Sequence, residues 1–186
     1  MRIITGIAKG RRLRAPDTSR TRPATDRVRE AVFSAIGSWV EDADVLDLYA
    51  GSGSYGLEAL SRGAATATFV EKGRQAVAAL KANVELVGLG GRIIAQDVGA
   101  FLDGARGAGA YHLVFIDPPW DLAGEVVGSQ LVDVDRILAP GGEVVVSRRE
   151  GDPEPLQPPG WSVATDRRYG DARIYRYAKD IDEESL

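Results

Sequence analysis

Several groups of side chains in this sequence have the types and spacing to do chemistry. One is Asp117-Pro118-Pro119-Trp120, at the end of the apolar run Tyr111–Ile116. Two prolines fix the backbone and remove two donors, which leaves neighbouring carbonyls as pure acceptors. A carboxylate beside such a carbonyl can accept both hydrogens of a planar –NH2 group, and Trp120 offers a ring on which a base can stack. The set suits an exocyclic amine of a flipped nucleobase; the plainer reading is a strand-ending turn. A second group is Gly51, Gly53 and Gly56, in G-x-G-x-x-G spacing after the apolar run Val45–Tyr49, with Glu71 twenty residues on. A carboxylate at a strand end can accept two ribose hydroxyls, a role that serves any adenosine cofactor and does not separate NAD from S-adenosylmethionine. The plainer reading of Glu71 is a surface acid paired with Lys72.

Two further acids stand near these motifs. Asp47 lies inside the first apolar strand, where an unpaired buried carboxylate costs several kcal/mol. It makes sense there if it organises the glycine turn or faces a cationic amino-acid group. Asp97 follows the run 92–96 and could accept an adenine amino group or cap the next helix.

These residues need a scaffold, and the hydrophobic pattern supplies one. Strands are expected at 45–49, 66–70, 92–96, 111–116 and 143–148, separated by helices at 56–62, 74–87, 98–105 and 123–138. Such alternation predicts βαβ units and a parallel sheet with both faces covered. A helix from Asp26 to Trp39 precedes them, capped by Thr25, with Val28, Ala31, Val32, Ala35 and Ile36 as its buried stripe. Residues 2–14 read as a basic hairpin, with strands at Arg2–Thr5 and Ile7/Arg12–Arg14, and 15–25 as irregular, with Pro16 and Pro23 as breakers. After a proline-rich loop at 152–160, runs at Trp161–Thr165 and Ala172–Tyr177 form a hairpin turned at Gly170-Asp171.

Composition narrows the function. With 186 residues and 44% apolar content, one domain with a full core is expected. There is no cysteine and only one histidine, His112, which removes thiolate chemistry and argues against histidine metal sites or a Ser-His-Asp triad. No apolar run approaches the length that spans a bilayer, and the N-terminus turns basic too soon for a signal peptide, so a soluble cytoplasmic protein is expected. Net charge is −4, yet residues 1–40 carry nine bases (Arg2, Lys9, Arg11, Arg12, Arg14, Arg20, Arg22, Arg27, Arg29) against three acids. A basic arm on an acidic body often marks a polyanion-binding end, although a solvated surface segment would look the same.

Taken in order, Asp47-Leu-Tyr-Ala-Gly-Ser-Gly, Glu71, Asp97 and Asp117-Pro-Pro-Trp120 resemble the motifs of class I S-adenosylmethionine-dependent amino-group methyltransferases. More narrowly, Arg2-Ile-Ile-Thr-Gly, Lys9-Gly-Arg-Arg-Leu, Leu60-Ser-Arg-Gly-Ala64 and above all Thr21-Arg-Pro-Ala-Thr-Asp-Arg-Val-Arg-Glu-Ala-Val-Phe33 resemble the RsmD family of bacterial 16S rRNA guanine-N2 methyltransferases. Trp120 departs from the family, in which Phe or Tyr is usual.

The resemblance implies a Rossmann-like, seven-stranded, mostly parallel sheet with a C-terminal antiparallel hairpin. It implies a basic RNA-binding extension at 1–24, a methyltransferase domain at 25–178 and an acidic tail at 179–186. Catalysis would fall to Asp117, Pro118, Pro119 and Trp120. S-adenosylmethionine would lie against Asp47, Tyr49, Ala50, Gly51, Ser52, Gly53, Glu71, Lys72, Asp97, Val98 and Asp117, with Glu71 on the ribose and Asp97 on the adenine. The nine N-terminal bases would meet 16S rRNA, free or in an assembling small subunit; no metal is implied, and a monomer is expected. At an ordinary pKa of about 3.9, Asp117 would be a poor base. Rival readings are an NAD-dependent oxidoreductase, a non-catalytic RNA-binding module, and an amino-methyltransferase acting on adenine N6 or a protein glutamine.

Overall fold

The computed structural model describes residues 1–15, 25–107 and 109–181. The expected irregular stretch with Pro16 and Pro23, the bases Arg20 and Arg22, and the acidic tail from 182 onward lie outside the described residues.

The chain divides into two compact units, Met1–Val98 and Gly99–Leu186. In the first, helix α1 (Asp26–Ile36) leads through a 3-10 turn at 37–40 into β1 (Asp44–Leu48), α2 (Ser54–Ser61), β2 (Thr66–Val70), α3 (Arg74–Val87) and β3 (Arg92–Ile94). β1 pairs parallel with β2, and β2 parallel with β3. Val45, Leu46 and Leu48 of β1 are fully buried, as a strand covered on both faces requires.

Helix α1 starts as its sequence predicts: the Thr25 hydroxyl accepts from Val28 N at 3.3 Å, and Asp26 stands in the first turn. It stops three residues earlier than expected, because Gly37 takes φ 63° and donates its N–H to Phe33 O. The buried stripe is Val28, Val32, Phe33 and Ile36, with Phe33 in place of the smaller, exposed Ala35.

The basic hairpin is present but shorter than expected. Arg2 and Arg12 form one antiparallel bridge, flanked by Ile3 N to Arg11 O, Gly10 N to Ile3 O and Leu13 N to Met1 O, rather than two extended strands. Other backbone donors of the arm go to α2: Ile4 N and Thr5 N to the Glu58 carboxylate at 2.7 and 3.0 Å, Ile7 N to Ser61 O, and Ala8 N to Ser61 Oγ. Gly6, at φ 84°, runs so close to the Ser61 backbone that any side chain would overlap it. The arm is thus tied along α2, with its turn at the end of the helix away from the glycine loop.

The second unit holds most of α4 (Val98–Gly104), then β4 (Tyr111–Ile116), α5 (Gly124–Asp135), β5 (Leu138–Arg149), β6 (Trp161–Tyr169) and β7 (Ala172–Lys179). β4 and β5 are parallel, whereas β7 runs antiparallel to both β5 and β6. α5 ends before the expected 138, since Ile137-Leu138-Ala139 enters the start of β5 and its neighbourhood rather than a fourth helical turn. The hairpin turns at Gly170, φ 62°, as the sequence predicts, and β6 carries a bulge at 163–165. Strand order is β3-β2-β1 in the first unit and β4-β5-β7-β6 in the second, the seven strands, parallel apart from β7, that were expected.

Candidate active site

The first unit builds its site on the turn after β1. Tyr49, Gly51 and Gly53 all take positive φ, at 58°, 56° and 82°. For a tyrosine this is costly and persists only where surroundings enforce it. Asp47 is one of the enforcers: nearly fully buried, it accepts the Gly56 N–H at 2.9 Å. Helix α2 begins at Ser54 behind a glycine cap with no side-chain acceptor, so a carboxylate from the preceding strand satisfies an orphan donor of its first turn.

Glu71 is the other enforcer. Its carboxylate accepts Gly51 N at 2.9 Å and Gly73 N at 2.7 Å, joining the turn to the start of α3. It is therefore no plain surface acid paired with Lys72; Lys72 pairs with Asp97 at 2.8 Å instead, an exposed bridge that raises the Lys72 pKa. A carboxylate has about four lone-pair sites, so Glu71 keeps acceptors for a diol beyond its two backbone bonds.

The three glycines divide their work. A Cβ on Gly53 would strike Leu80, and one on Gly56 the Phe69 ring; both glycines exist for close packing of helix on sheet. Gly51 differs: its added Cβ would meet only Tyr49 O, at 3.9 Å, so its bare backbone faces open space. An open glycine beside a strand-end carboxylate with spare acceptors fits an adenosine cofactor carrying an amino-acid end. Ala50 is buried, its N–H on Val70 O; Ser52 is buried and Tyr49 half-buried; Val98 is buried behind Asp97.

Asn83 was not among the residues expected here. Fully buried, it donates Nδ2 to Ser52 O and to Arg14 O and accepts Arg14 N at Oδ1, linking α3, the glycine turn and the arm. The signal was an amide at 83 within the apolar stripe Val77, Leu80 and Val87.

The second unit places Asp117 one residue beyond β4, after Ile116, which pairs with Val146 of β5. Asp117 is half-buried, and desolvation raises its pKa to about 6, opposed by the buried Ser147 hydroxyl. This corrects the expectation of an ordinary, weakly basic carboxylate: burial makes Asp117 a stronger base. Pro118 is buried, Pro119 exposed and Trp120 half-buried. Pro119 O accepts Leu122 N at 3.0 Å, and Leu122 O accepts Arg148 Nη2 at 3.0 Å, so the loop is pinned to the end of β5.

Among the basic residues, Arg29 is corrected outright. Its side chain is fully buried and donates to Arg2 O at 2.6 Å and Asp26 at 2.9 Å, leaving no face for a phosphate. Arg11 places Nη1 on Leu86 O and Val87 O, the carbonyl end of α3. Arg2, Lys9, Arg12, Arg14 and Arg27 are exposed. Among the described residues, no cluster of three or more His, Cys, Asp or Glu is placed to hold a metal, and no helix is long and apolar enough to cross a membrane.

The strand order, with its antiparallel β7 inserted beside β5, is that of the class I methyltransferases. Similar solved structures include a candidate methyltransferase, yhhF, from Escherichia coli (TM-score 0.84, 34% identity, 98% of this chain and 99% of that one). Another is a candidate methylase from Haemophilus influenzae (TM-score 0.80, 26% identity, 96% and 98%). The family model described as conserved hypothetical protein 95 matches residues 1–178. Ribosomal RNA small subunit methyltransferase D of Escherichia coli is 35% identical over all of this chain and 93% of its own length. The chain belongs to that family, RsmD.

Proposed function

We propose that this protein methylates ribosomal RNA of the small subunit, and that it transfers the methyl from S-adenosylmethionine to the N2 amine of a guanine. The observation that carries this reading is Asp117: a desolvated carboxylate at the carboxyl end of β4, followed by Pro118-Pro119-Trp120. The glycine turn likewise follows the carboxyl end of β1, and carboxyl ends are where open α/β sheets bind ligands. The relatives' names add the substrate class, small-subunit ribosomal RNA.

A sulfonium cofactor supplies an electrophilic methyl and a neutral leaving group. The chain's own task is then mostly positioning. Glu71 would hold the ribose through its free lone pairs, Asp97 the adenine amine, and the open backbone at Gly51 the amino-acid end. Trp120 would stack on the target base. Asp117 and the Pro118 carbonyl would accept the two N–H groups of the amine, turning its lone pair out of conjugation with the ring. With a pKa near 6, Asp117 is ionised at neutral pH and suited to take the released proton.

The segment 1–24 would serve as an RNA-engaging extension of the methyltransferase domain 25–178. Its contacts would come from Arg2, Lys9, Arg12 and Arg14, with Arg20, Arg22 and Arg27 alongside. The test is methyl transfer to small-subunit RNA lacking its modifications, with the methylated nucleotide mapped. A methylguanine at N2 is expected; adenine N6 product, or label in protein, would overturn the choice of acceptor.

A further inference from the structure

We infer that Ser147 is a positioning residue for methyl transfer: its buried hydroxyl orients the Asp117 carboxylate toward the amine. The inference rests on the reading of Asp117 as the amine acceptor. Its basis is strand geometry. β4 and β5 run parallel with Phe115 opposite Val145 and Ile116 opposite Val146, so the next step brings Asp117 beside Ser147. The two side chains share one face of the sheet, as residues in register do. Ser147 is only 6% exposed, and its hydroxyl has a single proton to donate. The strand register sets the Asp117 carboxylate beside that hydroxyl, which opposes the rise in the carboxyl's pKa.

The chain immediately beyond Asp117 is held by other means. Arg148, on the opposite face because side chains alternate along a strand, donates Nη2 to Leu122 O at 3.0 Å and to Asp152 Oδ2 at 3.1 Å. The Pro119–Leu122 turn closes the loop on itself. Loop placement therefore does not depend on the Ser147 hydroxyl, whereas carboxylate orientation does. A carboxylate can serve a planar amine only if one oxygen faces it. Fixing one oxygen on Ser147 leaves the other directed outward and removes a rotation that would have to be frozen in the transition state.

The test is Ser147→Ala against Ser147→Thr, with two readouts. In the first, 13C NMR follows the Asp117 carboxyl through pH. Ser147→Ala is expected to move its midpoint upward by about one unit, because a bond to the charged form is lost, and Ser147→Thr to restore it. In the second, kcat for methyl transfer is expected to fall by about tenfold in Ser147→Ala, with the KM for S-adenosylmethionine unchanged and recovery in Ser147→Thr. An unmoved midpoint, or an unchanged kcat in an enzyme that does methylate RNA, overturns the role of Ser147. A moved midpoint in a wild-type chain that methylates nothing overturns the assigned reaction instead.

Discussion

The Asp47 carboxylate accepts the N–H of Gly56 at 2.9 Å, so an acid buried in β1 caps the helix that begins beyond the glycine turn. Asp47→Ala leaves that donor buried without its acceptor and should destabilise the fold by about 1–3 kcal/mol, with a smaller loss for Asp47→Asn, which keeps an oxygen. Urea denaturation of the two variants checks this; equal stability of wild type and Asp47→Ala would mean the turn is held without it.

The glycines should separate packing from binding. Gly56→Ala pushes a methyl into the Phe69 ring and should cost about 1–3 kcal/mol of stability. Pairing it with Phe69→Leu should cost less than the sum of the single changes, since the two sites touch. Gly51→Ala meets open space but a left-handed backbone, a penalty of about 1–2 kcal/mol. Its larger effect should be weaker binding of S-adenosylmethionine, read by calorimetry.

Asp117 predicts pH dependence with opposite signs for rate and stability. Ionised, it accepts the amine; protonated, it cannot accept both hydrogens. Methyl transfer should therefore rise as pH increases through about 6 and level off above it. Between its ordinary value of about 3.8 and about 6, the folded chain keeps a proton that the unfolded chain has released. Stability from this group then declines as pH rises through that window and stays lost above it. Asp117→Asn should be inactive yet more stable at pH 7, by at most about 3 kcal/mol and less in proportion to its residual solvent contact. Denaturation at pH 5 and pH 7.5 should show the gap between variant and wild type widening at the higher pH.

Two arginines that look alike in sequence should part company. Arg29→Ala removes a buried, charge-assisted pair of bonds and should cost at least about 2 kcal/mol. Arg12→Ala, together with Lys9→Ala, should leave the melting temperature in place while weakening RNA binding and flattening its dependence on salt. Filter binding across a salt series reads the second effect and calorimetric melting the first. RNA affinity that ignores the Arg12 and Lys9 changes would remove the arm from the RNA surface.

Asp97 and Lys72 form an exposed pair, and breaking it should shift stability by no more than about 1 kcal/mol. Asp97→Ala should nevertheless weaken S-adenosylmethionine binding, because the carboxylate is the expected acceptor for the adenine amine. Equal affinity in Asp97→Ala and wild type would assign Asp97 to its partner Lys72 alone.

Periodicity by itself determined most of the fold. Strands 66–70 and 111–116 and helix 74–87 emerge with the bounds their patterns predict, because apolar spacing and turn residues are local properties. The strand-end acids and the Asp-Pro-Pro-Trp run were legible for the same reason: residue type and position along a strand limit what they can do. Tertiary structure alone decided how those groups are held. No local pattern says that Asp47 reaches the first turn of α2, that Glu71 binds Gly51, or that Ser147 stands beside Asp117, since each partner comes from a distant stretch of chain. The arm shows the limit most clearly. Its sequence carries hairpin signals, and residues 1–3 do bond to 10–13, but Glu58 and Ser61 of α2 take the N–H groups of Ile4, Thr5, Ile7 and Ala8, which shortens the cross-strand ladder to a single bridge. Charge counts likewise placed Arg29 among the RNA contacts, although its neighbour Arg2 and the first turn of α1 enclose it. Burial is a property of the folded neighbourhood, and it alone separates a structural arginine from one that meets RNA.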